Sequence, residues 1–357
     1  MKGKVCVFGS FNLDIVAGMA RFPQPGESLI ARNSMMGAGG KGANQATAAL
    51  RAGARVHYIG KVGRDDFGTF ARRHLAAAGF DAVTLFSTGD CPTGNALIYV
   101  AGEEAENMIA VDPGANLTVS EDEVRQCRPA IAAADILLTQ LENNLPAIEQ
   151  VIAIAREAQT FIILNPAPFQ PVPDSLLAQV DMLTPNATEC TLLTGVPVRD
   201  VASARQAAQV LHAKGIRLLI VTLGTQGALF SDGENSELIP AFPAQPKDTT
   251  GAGDAFNGAL AAQLANQVPL ADAVRFAAAY AAVCVERAGA AGSMPSYEEA
   301  LERQRASLDV EGLPRQPGSL TSTSLCAAHR AGAVPCGATV RGAHRRLMHC
   351  APAPAPG

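Results

Sequence analysis

The sequence predicts an α/β protein: a central, mostly parallel sheet flanked by helices, with a small β-sheet set apart as a lid. Three observations predict it. Between about residues 130 and 239, short apolar runs alternate with stretches of helical period, the pattern of parallel strands covered on both faces. Two alternating stretches, 93–100 and 107–111, flank a turn at 101–104 and read as a hairpin outside that pattern. Polar and glycine-rich segments fall just after predicted strands, where open α/β sheets bind ligands.

At 357 residues the chain is long enough for one large α/β domain with a small appendage. Its net charge of −5 argues against a nucleic-acid-binding or membrane-surface protein. No apolar run reaches the ~18 residues of a transmembrane helix. The opening Met1-Lys2-Gly3-Lys4-Val5-Cys6-Val7-Phe8-Gly9 is basic, but its apolar run is too short for a signal peptide and suits a buried strand. Eight cysteines without paired spacing fit a reducing, cytoplasmic setting. Residues 309–357 mix Pro, Ala, Gly, Ser and Arg with no sustained period. That stretch is expected to be a disordered tail, leaving 1–308 as the folded domain.

In chain order, residues 5–8 form the first strand, followed by Phe11-Asn12-Leu13-Asp14. Asn12 and Asp14, two apart in extended chain, point the same way and suit sugar hydroxyls; an Asx turn is the alternative. Residues 23–27 make a turn and 28–36 are extended. Gly37-Ala38-Gly39-Gly40-Lys41-Gly42-Ala43-Asn44-Gln45 then opens a helix at 46–52. It is not a P-loop, since Gly42 follows Lys41, nor is it a dinucleotide fingerprint. So many glycines fit a close approach of backbone to a small ligand, with Lys41 and Asn44 able to hydrogen-bond it. Residues 56–62 form a strand, and 63–68 lead into a helix ending near 78. The hairpin and the extended piece 28–36 are expected to pair over the glycine-rich loop. Such a lid, built from about 11–38 and 92–113, would keep water from a reactive phosphate.

The regular region begins with a strand at 136–138 leading to Gln140-Leu141-Glu142, then a helix at 146–158. A strand at 161–164 ends in Asn165-Pro166-Ala167-Pro168, and one at 182–184 runs into Pro185-Asn186-Ala187-Thr188-Glu189. Asn186 and Glu189 share a helix face. Near phosphates, Glu189 would orient Mg²⁺ through its water shell; a capping box is the alternative. A helix at 201–214, a strand at 218–222 before Leu223-Gly224-Thr225-Gln226-Gly227, and strands at 228–230 and 237–239 follow. Next comes Asp248-Thr249-Thr250-Gly251-Ala252-Gly253-Asp254-Ala255-Phe256-Asn257-Gly258. A Gly-Ala-Gly turn opening a helix leaves N–H groups at its positive end, a seat for an anion. Asp254 faces that seat from the first turn, either to take a proton from a hydroxyl attacking phosphorus or to cap the helix. Helices at 254–266, 270–286 and 296–305 end the pattern.

Gly9-Ser10-Phe11-Asn12-Leu13-Asp14, Gly39-Gly40-Lys41-Gly42-Ala43-Asn44-Gln45 and Asp248-Thr249-Thr250-Gly251-Ala252-Gly253-Asp254, in register across about residues 3–305, resemble the ribokinase branch of the PfkB sugar-kinase family. Asn165-Pro166-Ala167-Pro168 and Thr184-Pro185-Asn186-Ala187-Thr188-Glu189 fit that branch too. The resemblance implies a ribokinase-like fold and transfer of the ATP γ-phosphate to D-ribose, giving D-ribose 5-phosphate. It implies Asp254 as base and Gly251, Ala252 and Gly253 as anion hole. Asn12, Asp14, Gly40, Lys41, Gly42, Ala43, Asn44 and Glu142 would hold the sugar with Asp254. Asn186, Thr222, Leu223, Gly224, Thr225, Gln226, Gly227, Gly253 and Ala278 would line the nucleotide site, and Glu189 would organise Mg²⁺. A monovalent cation, K⁺, would lie by Asp248, Thr250, Cys284, Arg287, Gly289 and Ser293, several acting through carbonyls. Pairing through lid sheets, hence a homodimer, is also implied. Ala278 departs from the His that many relatives carry near the adenine.

Alternatives are a kinase for deoxyribose, another sugar or a nucleoside, and, from another class, a non-catalytic sugar-binding protein. Asn12 and Asp14 favour a free polyhydroxylated sugar, while four Tyr and no Trp disfavour an aromatic nucleoside slot. The intact loop around Asp254 speaks against a pure binder, which has no use for a base.

Overall fold

The computed structural model describes residues 2–102 and 106–311. The first half contains β1 (Lys4–Phe8), β2 (Asn12–Met19), β3 (Asn33–Gly39), α1 (Lys41–Arg51), β4 (Arg55–Gly63), α2 (Asp66–Ala77), β5 (Ala82–Thr88), β6 (Asn95–Ala101), β7 (Glu106–Asp112) and α3 (Glu121–Ala132). Then follow β8 (Ile136–Thr139), α4 (Leu145–Glu157), β9 (Phe161–Leu164), α5 (Asp174–Leu177), β10 (Met182–Leu183), α6 (Ala187–Thr194) and α7 (Val201–Ala213). β11 (Leu218–Thr222), β12 (Ala228–Ser231), β13 (Ser236–Ile239), α8 (Ala252–Ala265), α9 (Leu270–Cys284) and α10 (Tyr297–Glu311) complete the described chain.

The large sheet has nine strands in the order β13-β12-β11-β10-β9-β8-β1-β4-β5. Its strands run parallel from β5 to β11, and only β12 is reversed, pairing antiparallel with β11 and β13. Within β1, Val5 and Val7 join one core, which includes residues of α1, α8 and α9, while Cys6 and Phe8 join another, which includes residues of α3, α4 and α7. Burial on both faces is why these strands read as unbroken apolar runs. The chain leaves β1 toward β4 and β5, then returns to β8 on the other side. That reversal puts a crevice at the C-terminal ends of β1 and β8.

The separate sheet has four strands, β3-β2-β6-β7. The hairpin forms as expected, with β6 antiparallel to β7, but the extended piece does not pair with it directly. β2 lies between, antiparallel to β3 and parallel to β6. The strand of the extended piece also starts later, at Asn33. β5 and α3 are additions to the sequence reading. β5 is an edge strand without period-2 alternation in its burial, and α3 carries Pro129, which disfavours a helix, yet is started by a Ser120–Glu123 capping box. The expected tail 309–357 lies, from residue 312 onward, outside the described residues; α10 extends through its first residues.

Candidate active site

Both glycine-rich stretches open helices, and the two openings differ. α1 starts at Lys41, earlier than its apolar period suggests, because Gly40 at φ 87° turns β3 into the helix. Its first N–H groups are taken. Lys41 N donates to Glu142 Oε2 at 2.9 Å, Gly42 N to Ser10 Oγ at 3.2 Å, and Ala43 N to Ser10 O at 3.0 Å. Ser10 Oγ also donates to Glu142 Oε2 in a short hydrogen bond. Glu142 thus caps α1 from another segment, its carboxylate at the positive end of the helix dipole. The close approach these glycines permit is to the chain's own β1–β2 connection: a Cβ at Gly42 would lie 2.4 Å from Ser10 N.

α8 is open instead. Gly251, at φ 77°, is its N-cap and Ala252 N donates to Thr249 O at 3.2 Å. The N–H groups of Gly251, Gly253 and Asp254 have no hydrogen-bond partner among the described residues. Asp254 does not cap its helix. Its Oδ2 accepts from Asn44 Nδ2 and its Oδ1 from Gln45 Nε2, each at 3.0 Å. One turn further on, Gly258 lets α8 press against α1, where a Cβ would lie 2.4 Å from Gln45 O. That contact holds Asp254 opposite Asn44 and Gln45.

Around this point charges gather. Asp14 follows Asn12 on the same face of β2, opposite Gly37 in register, and its carboxylate lies over Gly39, where a Cβ would be 2.2 Å from Asp14 Oδ2. Burial, then the carboxylates of Glu142 and Asp254, push the Asp14 carboxyl up to about 7. Lys41 is held above the usual lysine range by Asp254 first, against its burial, with Glu142 and Glu189 adding to it. Burial raises Glu189, opposed by its bond from Asn186 N and by Lys41. Asn12 Oδ1 accepts from Asn116 Nδ2 at 2.8 Å, and Asn116 also clasps the backbone of Phe11. Asn44 Oδ1 is buried with no partner among the described residues, an acceptor suited to a hydroxyl.

The remaining residues fall into two groups. Asn186 bridges to Thr222 at the ends of β10 and β11, and Leu223 N donates to Gly227 O at 2.8 Å, closing a turn through Gly224, Thr225 and Gln226. Gln226 turns its amide to Arg199 O, and Ala278 lies half-buried on α9 against the core. Asn186 and Glu189 form the capping box of α6: Glu189 Oε2 accepts from Asn186 N at 2.8 Å and Oε1 from Asn186 Nδ2 at 2.9 Å. In the second group, Asp248 binds Thr250 N and Gly289 N, each at 2.9 Å, and so ties the loop before α8 to the loop after α9. The Cys284 thiol pairs with Ser293 Oγ at 3.1 Å, and the Arg287 guanidinium with Glu299. Oxygen donors on these loops suit a hard cation, but the side chains of Cys284 and Arg287 do not; those two could serve only through carbonyls.

Sequence reasoning passed over Ser10, Gln45, Gln140 and Asn116. Gln45 and Ser10 lie inside the motifs already singled out, so the signal was there; Asn116 has none, because its partners lie far away in sequence.

A helix start left open for an anion, with a carboxylate held beside it, is the arrangement of a phosphoryl-transfer enzyme. The chain belongs to the pfkB family of carbohydrate kinases, whose model matches residues 2–297. It is 42% identical over 302 residues to a ribokinase of Haemophilus influenzae, covering 85% of this chain and 98% of that one. A deoxyribokinase of Salmonella typhi is 32% identical over 296 residues, covering 83% of this chain and 96% of its own. Among solved structures, the ribokinase of Arabidopsis thaliana complexed with ribose and ATP superposes with a TM-score of 0.77 at 31% identity, over 85% of this chain and 99% of that one. No helix among the described residues is long and apolar enough to cross a membrane.

Proposed function

We infer that this chain transfers the γ-phosphate of ATP to D-ribose, giving D-ribose 5-phosphate. The observation that carries the reading is Asp254, whose two oxygens are held by Asn44 and Gln45 beside the open N–H groups at the head of α8. In this reading Asp254 takes the proton of the attacking hydroxyl, in line with the leaving ADP. Gly251, Gly253 and Asp254 offer N–H groups to the transferring phosphoryl, and losing one such donor costs about 3–4 kcal/mol in the barrier, by analogy with oxyanion holes. The N–H of Ala252 is the weakest member, since it is already engaged. Asn12, Asp14, Lys41, Asn44 and Glu142 hold the sugar with Gly40. The N–H groups of Gly42 and Ala43 support Ser10 instead.

ATP lies along Asn186, Thr222 and the turn from Leu223 to Gly227, toward Gly253 and Ala278. Glu189 would hold Mg²⁺ through water, since each of its oxygens uses one lone pair in the cap and keeps another for a water. The ion supplies charge neutralisation on the phosphates. Oxygens of the Asp248–Thr250 and Gly289–Ser293 loops would hold K⁺, which would supply positive charge near the anion seat. The small sheet is the lid of a single kinase domain. Met36, Leu97, Tyr99 and Met108 stand exposed on its face turned away from Asp14, and we propose that a second copy covers them. Sedimentation at the mass of a 36.9 kDa monomer would refute that dimer. The cytoplasm, with ATP at hand, suits this activity and the free thiols of Cys6, Cys127 and Cys284.

The deoxyribokinase relative favours a second reading, in which the sugar lacks its 2-hydroxyl. ADP release with D-ribose, 2-deoxyribose, fructose and adenosine decides between them. A strong preference for ribose is expected, rising with K⁺; preference for deoxyribose moves the substrate, and no turnover with ribose still bound makes the chain a sugar-binding protein.

A further inference from the structure

We propose that Gln45 is a positioning residue for Asp254, held in one amide orientation by a buried relay that runs from Asn165 to Gln140. The proposal rests on Asp254 being the base. Gln45, Gln140 and Asn165 are all buried, and no role in binding the sugar or the nucleotide falls to any of them. The sense of the relay follows from its ends. Asn165 Nδ2 donates to the backbone oxygen of Thr184 at 2.9 Å. A carbonyl only accepts, so the nitrogen of Asn165 faces Thr184 and Asn165 Oδ1 faces Gln45. Gln45 Nε2 donates one hydrogen to that oxygen and the other to Asp254 Oδ1, both at 3.0 Å. Two acceptors of fixed sense therefore agree on one orientation of Gln45.

The oxygen of Gln45 turns to Gln140, whose Nε2 donates to it at 2.7 Å. Gln140 Oε1 is left with no partner among the described residues. Flipping Gln140 would set its oxygen against the oxygen of Gln45, so the relay keeps its sense even with an unsatisfied atom at its far end. Asn44 and Gln45 divide the work. Asn44 holds Asp254 Oδ2 and keeps a buried oxygen free for a ligand, whereas every polar atom of Gln45 is engaged within the protein. One donor on each oxygen fixes the plane of the carboxylate about its Cβ–Cγ bond and gives its remaining lone pairs a constant aim.

Gln45→Met keeps the length of the side chain and removes both donors. With D-ribose and ATP, kcat should fall about 10–100-fold, the cost of a base misaimed by ~1 Å. The ribose dissociation constant, measured calorimetrically without ATP, should stay within a few-fold, which also shows that the variant has folded. The cycle with Asp254→Asn is decisive. In that background Gln45→Met should cause no further loss in single-turnover rate, because the group it acts through is already gone. An equal further loss in that background, or an unchanged kcat for Gln45→Met alone, overturns the proposal. Gln140→Met makes no contact with Asp254 and should give a smaller fall in kcat of the same kind; it decides the matter, with its own cycle, if Gln45→Met does not fold. Full turnover in Asp254→Asn overturns the base itself, an outcome distinct from failure of the relay.

Discussion

Asp14 illustrates what the site asks of a single residue. Its carboxyl titrates near 7 rather than at the usual 3.8, because burial, Glu142 and Asp254 all disfavour its charge. A carboxyl raised in the folded state contributes stability that is complete below its unfolded pKa and is lost as pH climbs toward 7. Asp14→Asn removes that penalty. Without sugar, the variant should be more stable than the parent at pH 8 by on the order of 1–2 kcal/mol, discounted for solvent screening, and nearly equal to it at pH 4. Urea unfolding at the two pH values checks this, and a gain of the same size at both would refute it. The same variant should bind ribose about ten- to a hundredfold more weakly, having lost hydrogen bonds to a charged group. Function and stability are set against one another at this position.

Among the elements, the start of α6 joins two roles that the residue spacing leaves open. The capping box is present, and Glu189 is also buried within the field of Lys41 and Asp254. Glu189→Gln largely separates the roles, because the glutamine oxygen can still accept from Asn186 N and only the bond from Asn186 Nδ2 is given up. The variant should lose only that one hydrogen bond, about 0.5 kcal/mol of stability, while the Mg²⁺ concentration needed for half-maximal rate rises. Glu189→Ala should lose both functions, at about 1 kcal/mol of stability. An unchanged Mg²⁺ requirement in Glu189→Gln would leave Glu189 as a cap alone. The openings of α1 and α8 look alike in sequence, a glycine-rich turn before an alanine-rich helix. What distinguishes them is Ser10 and Glu142, brought to α1 by the β1–β8 crevice, and local sequence holds no trace of that filling.

Across the whole molecule, the alternating region from residue 136 to 239 was legible because its strands β8 to β12 are buried on both faces and its longer helices on one. Strand order and the lid's internal pairing were not, since they depend on partners distant in sequence: β2 sits between β3 and β6 although its own residues read as a strand exit with two polar side chains. Asp254, Asn44, Lys41 and Glu142 could be picked out from motifs, and the fold brings them to one crevice. The relay through Gln45, Gln140 and Asn165 could not, because three buried amides from three separate elements carry no shared local pattern. Phosphoryl transfer at this site turns on one side chain, Asp254. Kinetics of Asp254→Asn, with ribose affinity measured on the same sample, tests it most directly: turnover should fall about 10²–10⁴-fold while ribose binding stays within a few-fold, and a variant that keeps its turnover would contradict it.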